Sequence, residues 1–313
     1  MALFSLFVKA EPTLKGHNAR PTSWLRQSIS SLWAAKDVTL NARAYAVAKP
    51  LKKGEVALVG AGPGAPELLT LAALQMLSEA DVVVYDRLVS DEILNLINKD
   101  CQRICVGKAA SYHSVPQSRI NEILIERASL GMRVVRLKGG DSFIFGRGGE
   151  ELEQLAQSGV QFRVIPGITA ASGCTTYAGI PLTHRDYSQA VTFVTGHCKK
   201  DGKPPEWASL VAQNHTLVIY MGRLAASQIQ QSLQEHGMSE QMPVAVIENG
   251  TRHNQRVLVG HLSQLSQLAE QAASPALLVV GEVVKLSKEL EWFNVASQKS
   301  PAASALNHLD NEK

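Results

Sequence analysis

Short apolar runs alternate with helical patterns from residue 55 onward. Five of these runs are apolar and are bounded by glycine, proline or charged residues, which predicts strands, the first of them buried. Helical patterns at 66–77 and 114–131 lie between them; the second has Ser114 as its cap, Pro116 in its first turn and Gly131 behind it. This alternation predicts a parallel sheet covered by helices. The predicted strands are EVALVG (55–60), DVVVYD (81–86), RICVG (103–107), RVVRL (133–137) and QFRVIP (161–166).

The pattern changes after residue 165. The segments PGITAASG (166–173) and GIPLTHRD (179–186) interrupt it, and the first is predicted to be a linker. Beyond them, five more apolar runs accompany two helical patterns at 228–236 and 261–270. Several of these runs lie close together in the chain, so a mixed sheet is expected and not a purely parallel one. They are AVTFVTGH (190–197), HTLVIYMG (215–222), PVAVIENG (243–250), RVLVG (256–260) and ALLVVGEVV (276–284).

The predicted organisation has four parts. Residues 1–54 are an N-terminal extension expected to be flexible, and 55–181 are a first α/β domain with glycine-rich turns. Residues 182–295 are a second α/β domain with a mixed sheet, and 296–313 are a C-terminal tail. A chain of 313 residues that is 45% apolar is long enough for about two domains. Its apolar runs are far shorter than the roughly 20 residues of a membrane span, so no membrane association is expected.

Charge is distributed unevenly along the chain. Residues 1–49 carry seven basic and two acidic side chains, which leaves 24 basic and 26 acidic ones in residues 50–313. The globular part therefore lacks the basic footprint of a nucleic-acid-binding protein. The acid-poor first 49 residues are either a flexible extension or a transit peptide to an organelle. Four cysteines in a chain of this size indicate reduced thiols, and cytoplasm is the expected location; they are Cys101, Cys105, Cys174 and Cys198.

The segment RLKGGDSFIFGRGGEE (136–151) is exceptionally rich in glycine. Because glycine leaves the main chain uncovered and takes positive φ, such a segment indicates a backbone that a ligand approaches closely. Asp141 adds a fixed acceptor or a negative charge, and Gly148 is predicted to begin a helix. An irregular turn between a strand and a helix is the alternative. The glycines are Gly139, Gly140, Gly146, Gly148 and Gly149.

A second glycine turn, GAGPG (60–64), lies between the first strand and the first helix. With Ala65, and with Asp86 at the end of the next strand, it imitates a dinucleotide-binding fingerprint. However, Pro63 and Pro66 have no N–H to donate where a pyrophosphate would need donors. A ligand without phosphates is therefore favoured over a nicotinamide or flavin cofactor.

Charged side chains follow the second and third predicted strands. Asp86, Arg87 and Lys108 stand at these strand ends, with His113 close by, and ligands of open α/β sheets bind at the carboxyl ends of strands. A helix cap or a salt-bridge partner is the alternative for Asp86. Cations in loops beside glycines are most often solvated, but together they suit a multiply anionic substrate. These cations are Arg147, His184, Arg185 and Arg223.

The motifs together resemble a known family. GAGPG with LLT, VVYDRLVS, VGK, RVVRLKGGD with FIFGRGGEE, IPGITAASG, GIPLTHRD, VTGH, YMG, PVAVIENGT and SPALLVVGEVV occur in that order between about residues 55 and 293. This series is similar to the S-adenosylmethionine-dependent uroporphyrinogen-III C-methyltransferases. The chain departs from the family pattern at three positions. Ala65 stands where aspartate is common, Ala109 where arginine is usual, and Ser142 where proline normally follows GGD.

The resemblance implies two α/β domains with a ligand cleft between them, in a homodimer. It implies S-adenosyl-L-methionine as methyl donor, S-adenosyl-L-homocysteine as product, and no metal. Asp86 would be the proton acceptor and Lys108 the proton donor, while Arg87, Arg147, His184 and Arg185 are candidates for the substrate's carboxylates. The implied donor-binding residues are Pro63, Gly139, Gly140, Asp141, Ile144, Thr169, Ala170, Met221 and Gly250.

The implied reaction is methylation of uroporphyrinogen III at carbons 2 and 7, which yields precorrin-2 for sirohaem or cobalamin synthesis. Two alternatives stay open: a methylase of another precorrin or cobalt-precorrin, and a non-catalytic binding protein on the same fold. In some relatives the methylase follows a dehydrogenase and chelatase module. Only about 50 residues precede the predicted core here, so other proteins are expected to perform those steps.

Overall fold

A computed structural model describes residues 48–107, 115–196, 205–211 and 214–293. Lys108, His113, Ser114 and Cys198 lie outside these ranges, as do residues 1–47 of the predicted extension and the predicted tail at 296–313. The described strands form two five-stranded sheets. No helix among the described residues is long and apolar enough to cross a membrane.

The first sheet is entirely parallel, as predicted from the alternation of strands and helices. Its strand order is β3-β2-β4-β1-β5. Gly60 is level with Lys138, so the glycine turns that follow β1 and β4 leave the sheet side by side. The strands are β1 Val56–Gly60, β2 Val82–Tyr85, β3 Gln102–Cys105, β4 Val134–Lys138 and β5 Phe162–Ile165.

Helices cover both faces of this sheet. On one face, Met76 and Leu77 of α1 and Ile93 of α2 pack against apolar side chains of β1, β2 and β4. On the other face, Leu124 of α3 and Leu155 of α4 do the same. The helices are α1 Leu71–Glu79, α2 Asp91–Leu94, α3 Gln117–Ser129 and α4 Gly148–Gln157. The helix predicted to begin at Gly148 is confirmed.

Two predictions about this half were wrong. The helix predicted over 66–77 is interrupted: Pro66–Leu68 is a 3₁₀ turn, and α1 starts afresh after Thr70, whose side chain accepts a hydrogen bond from the Ala73 amide. The linker predicted over 166–173 contains the start of helix α5, Ala170–Tyr177. Its buried residues, among them Ala171 and Cys174, have helical spacing, but the small and polar residues around them concealed it.

The second sheet is mixed, as predicted. Its order is β6-β7-β10-β8-β9, with β6 and β7 parallel and the other neighbours antiparallel. Helices α7 and α8 cover one face of this sheet, and α5 covers the other. Helix α5 follows β5 in the chain and so connects the first sheet to the second. The elements are β6 Ala190–Thr195, α6 Trp207–Leu210, β7 His215–Tyr220, α7 Ala226–Glu235, β8 Pro243–Glu248, β9 Arg256–His261, α8 Leu265–Gln271 and β10 Ala276–Val280.

The strand predicted over 276–284 was too long. It ends at Val280, where Gly281 takes φ 148°, and Glu282–Leu286 forms a 3₁₀ turn. Glycine alone tolerates that conformation easily, so the chain turns there although the apolar run continues. The helix predicted over 261–270 likewise begins as a 3₁₀ turn, Leu262–Gln264, before α8.

Candidate functional site

Three glycine backbones touch at the carboxyl edge of the first sheet. Gly60 ends β1, Gly140 follows β4 and Gly167 follows β5. A Cβ atom at Gly167 would lie 2.4 Å from the Gly140 carbonyl oxygen and 2.7 Å from the Gly60 carbonyl carbon. Gly62 and Gly140 also exchange backbone hydrogen bonds of 3.1 and 2.7 Å. The glycines thus let three loops cross closely, leaving main-chain groups beside a possible ligand.

Asp141 ties two of these loops together. One carboxylate oxygen accepts a 2.9 Å hydrogen bond from the Phe143 amide, and the other accepts a 3.0 Å bond from the Gly167 amide. Both oxygens therefore already have protein partners. The structure gives Asp141 a role in holding the loops, in addition to any contact with a ligand.

Tyr220 connects the two sheets at this site. Its hydroxyl lies 2.5 Å from Thr169 Oγ1 and accepts a 2.9 Å hydrogen bond from the Ala171 amide, while its ring packs on Phe145 with centroids 4.9 Å apart. Burial raises the pKa of the Tyr220 phenol, against a smaller lowering by the Thr169 hydrogen bond. A neutral phenol is thus maintained at ordinary pH. The sequence reasoning missed Tyr220, although it named Met221, which follows it.

The loop after β8 packs on the first glycine turn. The Ala65 amide donates a 3.1 Å hydrogen bond to Thr251 Oγ1, and Arg252 Nη2 donates a 2.8 Å bond to the Leu88 carbonyl. A Cβ atom at Gly250 would lie 2.4 Å from Cys174 Sγ, and one at Gly173 would lie 2.5 Å from the Pro63 ring. Burial raises the pKa of the Cys174 thiol to about 12, so this side chain acts as a neutral packing group.

Left-handed backbone conformations concentrate around these loops. Six of the described non-glycine residues have φ between 49° and 69°, and all except Asn214 stand in or next to these loops. Each such conformation costs about 1–3 kcal/mol and persists where the surroundings demand it, which is common at ligand sites. The five in or next to the loops are Phe145, Arg147, Met221, Asn249 and Thr251.

A buried charged cluster lies under the end of β2. Lys138 Nζ is 2.9 Å and Arg136 Nε is 3.4 Å from Glu151 Oε1, and all three side chains are almost fully buried. Arg136 Nη2 is 3.8 Å from Asp86 Oδ2. The other oxygen of Asp86 accepts a 3.0 Å hydrogen bond from the Leu88 amide. The sequence reasoning did not single out this cluster, although Arg136 and Lys138 alternate with Leu137 and so share one face of β4.

The structure brings most of the predicted donor residues into one set of contacts. Six of them take part in the contacts between the loops described above: Pro63, Gly140, Asp141, Thr169, Ala170 and Gly250. Met221 directly follows Tyr220 and is half-exposed, Gly139 packs on Leu88, and the Ile144 amide reaches the Asp141 carbonyl at 3.4 Å.

The predicted substrate cations are less tightly grouped. Arg147 is exposed and pairs with Glu150 in the first turn of α4, and Arg87 is exposed beside Asp86. The contacts described for His184 are local, to Asp186, Tyr187 and Ser188.

Two further loop cations have no described contact with the glycine crossing. Arg185, next to His184, is exposed. Arg223, which the sequence grouped with the loop cations, donates to Ser274 Oγ and to the Ala272 carbonyl. Within the described ranges, no three His, Cys, Asp or Glu side chains are placed to share a metal ion.

Ser142 is buried, and its hydroxyl has no hydrogen-bond partner among the described residues. An unpaired buried hydroxyl costs about 1–3 kcal/mol. We therefore expect Ser142→Ala to raise the free energy of unfolding by about 1 kcal/mol, measured as a higher midpoint in urea. The control is Ser78→Ala, which alters an exposed hydroxyl bonded to the Gln75 carbonyl and is expected to change little. A lower urea midpoint for Ser142→Ala would contradict the view that the Ser142 hydroxyl is buried without a hydrogen-bond partner among the described residues.

The fold and these loops define a family. Residues 55–266 match the family model for Tetrapyrrole (Corrin/Porphyrin) Methylases, and the chain belongs to this family of methyltransferases. The resemblance drawn from the motifs and the fold class drawn from them are thereby confirmed.

Curated relatives share high identity with the chain. It is 57% identical over 252 residues to siroheme synthase 1 of Pectobacterium atrosepticum, a match that covers 80% of this chain and 52% of the relative. It is 60% identical over 242 residues to siroheme synthase 2 of Yersinia pestis bv. Antiqua, covering 77% of this chain and 51% of the relative. The chain thus spans about half the length of these relatives.

Solved structures have the same fold. Uroporphyrin-III-C-methyltransferase from Thermus thermophilus is 39% identical, with a TM-score of 0.65 over 76% of this chain and 97% of the other. A structure of the Thermus thermophilus enzyme complexed with S-adenyl homocysteine is 37% identical, with a TM-score of 0.65 over 74% and 99%. Cobalt precorrin-4 methyltransferase, at 23% identity and a TM-score of 0.66 over 74% and 96%, shares the fold.

Proposed function

We propose that this protein transfers methyl groups from S-adenosyl-L-methionine to carbons 2 and 7 of uroporphyrinogen III, yielding precorrin-2. The observation that carries the proposal is the likeness to uroporphyrin-III-C-methyltransferase, which extends over 97% of that enzyme at 39% identity. The names of the siroheme synthase relatives agree with it. As part of the same proposal, the precorrin-2 that is formed is used in sirohaem or cobalamin synthesis.

The donor site of the proposal is the crossing of the glycine loops. Main-chain groups around Gly140 and Thr169, with the half-exposed side chain of Met221, suit an adenine ring and an amino acid, which need few charged partners. A related enzyme with 37% identity was solved with S-adenyl homocysteine. The full proposed set is Pro63, Gly139, Gly140, Asp141, Ile144, Thr169, Ala170, Met221 and Gly250.

Proton transfer is assigned to side chains at strand ends. The sulfonium of the donor supplies an electrophilic methyl group, so the protein has mainly to align a pyrrole carbon with it and to exclude water. Asp86 accepts the proton that the methylated ring must lose, and Lys108 returns one elsewhere. Support for Asp86 comes from its place at the end of β2, beside Arg136 and close to Gly139 through Leu88.

The substrate presents eight carboxylates, which need local positive charge. Arg87, Arg147, His184 and Arg185 are the proposed partners, because each stands in a loop and at least partly exposes its side chain. Arginine suits this task because its guanidinium binds a carboxylate through two parallel hydrogen bonds.

The direct test incubates the protein with S-adenosyl-L-methionine and enzymatically prepared uroporphyrinogen III. We expect a product heavier than the substrate by two CH₂ units, because each added methyl group replaces a proton, and we expect none with heat-denatured protein. Mass and absorbance measure the product. Binding of the donor without any methyl transfer would favour a non-catalytic binding protein instead. Methylation only of another precorrin or cobalt-precorrin would favour the other alternative.

Assembly and location complete the proposal. A cytoplasmic homodimer is proposed, with neither nucleic acid nor membrane as a partner, and the boundary between two α/β domains is placed between residues 181 and 182. Light scattering of the purified protein tests the dimer: a mass of one chain at micromolar concentration would contradict it.

A further inference from the structure

We propose that Arg136 is a positioning residue for the proton acceptor: held by Glu151, it fixes the Asp86 carboxylate against the substrate. The inference rests on the proposed function, because it presupposes that Asp86 accepts a proton there. It goes beyond that function by assigning a role to Arg136 and Glu151, two buried side chains outside the proposed donor-binding and substrate-binding sets.

Arg136 is held on three sides before it reaches Asp86. Its Nη1 donates a 3.0 Å hydrogen bond to the Leu137 carbonyl and a 3.4 Å bond to the Val84 carbonyl. Its Nε faces Glu151 Oε1 at 3.4 Å. Only Nη2 is directed to Asp86, at 3.8 Å. Because the guanidinium is planar, these contacts also fix the orientation of Nη2 towards Asp86.

Glu151 is the anchor of the cluster. It is fully buried in the first turn of α4, and its Oε1 also accepts hydrogen bonds from Lys138 Nζ at 2.9 Å and from Gln117 Nε2 at 3.0 Å. Its Oε2 is buried and has no hydrogen-bond partner in the described part of the chain. Burial lowers the pKa of Lys138, the Arg136 charge lowers it further, and Glu151 opposes both effects.

Stability alone does not explain such a cluster. Removing charges from water costs several kcal/mol per ion, and well-packed apolar side chains often serve a protein core at least as well. The cluster lies at the carboxyl ends of β2 and β4, where ligands of parallel sheets bind. At the opposite ends of the same strands, Arg133 binds Asp81 in a more exposed pair with hydrogen bonds of 2.6 and 3.1 Å.

The carboxylate of Asp86 is therefore restrained from two directions. The Leu88 amide holds Oδ1 through a 3.0 Å hydrogen bond, and Arg136 attracts Oδ2. The 3.8 Å separation exceeds hydrogen-bond range, so Arg136 orients Oδ2 by charge without a hydrogen bond that would occupy its lone pairs. A base must lie within hydrogen-bond reach of the proton that it removes. The contact with Arg136 sets the direction in which the Asp86 carboxylate points.

The test is a double-mutant cycle on the full chain, with methyl transfer to uroporphyrinogen III as the readout. Arg136→Gln is expected to lower kcat about 100-fold, as small misplacements of a catalytic group can. Arg136→Lys, which keeps the charge, should restore part of the loss. Donor affinity and the midpoint of thermal unfolding are measured for every variant. In an Asp86→Asn background, neither substitution should lower kcat further, because Arg136 acts through Asp86.

The matched control is Arg133→Lys, which alters the pair at the other end of the same strands and should leave kcat unchanged. If Arg136→Gln does not fold, Arg136→Lys alone carries the cycle, with a smaller loss that must vanish in the Asp86→Asn background. Additive losses in that background, or wild-type kcat in a folded Arg136→Gln protein, would overturn the inference while wild-type methylation stands. Absence of product from the wild-type protein would instead overturn the proposed function.

Discussion

Asp86→Asn is expected to lower kcat for methyl transfer by about 10²–10⁴-fold, the usual contribution of a general base. The substitution keeps the shape of the side chain and the oxygen that accepts from the Leu88 amide, so the turn after β2 should persist. What it removes is the oxygen that faces Arg136 and accepts a proton. Donor affinity should stay at the wild-type value, because the glycine loops are unaltered.

Steady-state kinetics with both substrates and calorimetric titration of the donor measure the two quantities. The control is Asp91→Asn, an exposed acid five residues further on in the first turn of α2, which removes the same charge from the same segment. It should leave turnover unchanged. Full activity of Asp86→Asn would show that another group accepts the proton, whereas a parallel loss of donor affinity would point to damage of the loops.

The strands were predictable because their composition is simple. Apolar runs such as Val56 to Val59 have no polar alternation, so they require burial on both faces, which parallel sheets provide. The dense set of glycines also indicated a close approach to the main chain at Gly139 and Gly140, and the structure shows Leu88 close to Gly139 and Gly167 close to Gly140. Long-range partners were not: nothing local indicates that Gly167 touches Gly60 or that Tyr220 reaches Thr169.

The errors have physical causes as well. The start of helix α5 was predicted to be a linker because glycine, threonine and serine have weak helix propensity, while packing on the second sheet stabilises the helix. Arg136 was predicted only as part of the strand 133–137, and Lys138 received no role, because the carboxylate that neutralises them, Glu151, lies on a helix that follows in the chain. Whether a charged side chain is buried depends on the fold. The sequence shows only that Arg136 and Lys138 are two residues apart and so share one face of β4.

Gly167→Ala is expected to disrupt the crossing of the three loops. The new methyl group would lie within 2.7 Å of backbone atoms of Gly140 and Gly60, and backbone cannot rotate away as a side chain does. Overpacking of this kind costs about 1–3 kcal/mol of stability. Because Gly140 belongs to the proposed donor site, donor affinity should also fall by about tenfold or more, equivalent to about 1.4 kcal/mol. Thermal unfolding and calorimetric titration measure both effects.

The matched control is Gly149→Ala, a glycine of the glycine-rich segment 136–151. A Cβ atom there meets nothing within 4 Å, and the residue lies in the first turn of α4, so alanine should raise stability by about 0.5–1 kcal/mol. The two substitutions add the same methyl group with opposite expected signs, because only Gly167 is in contact with other backbone. If Gly167→Ala were as stable as the wild type and bound the donor equally well, the close crossing of the loops would be unnecessary for the site.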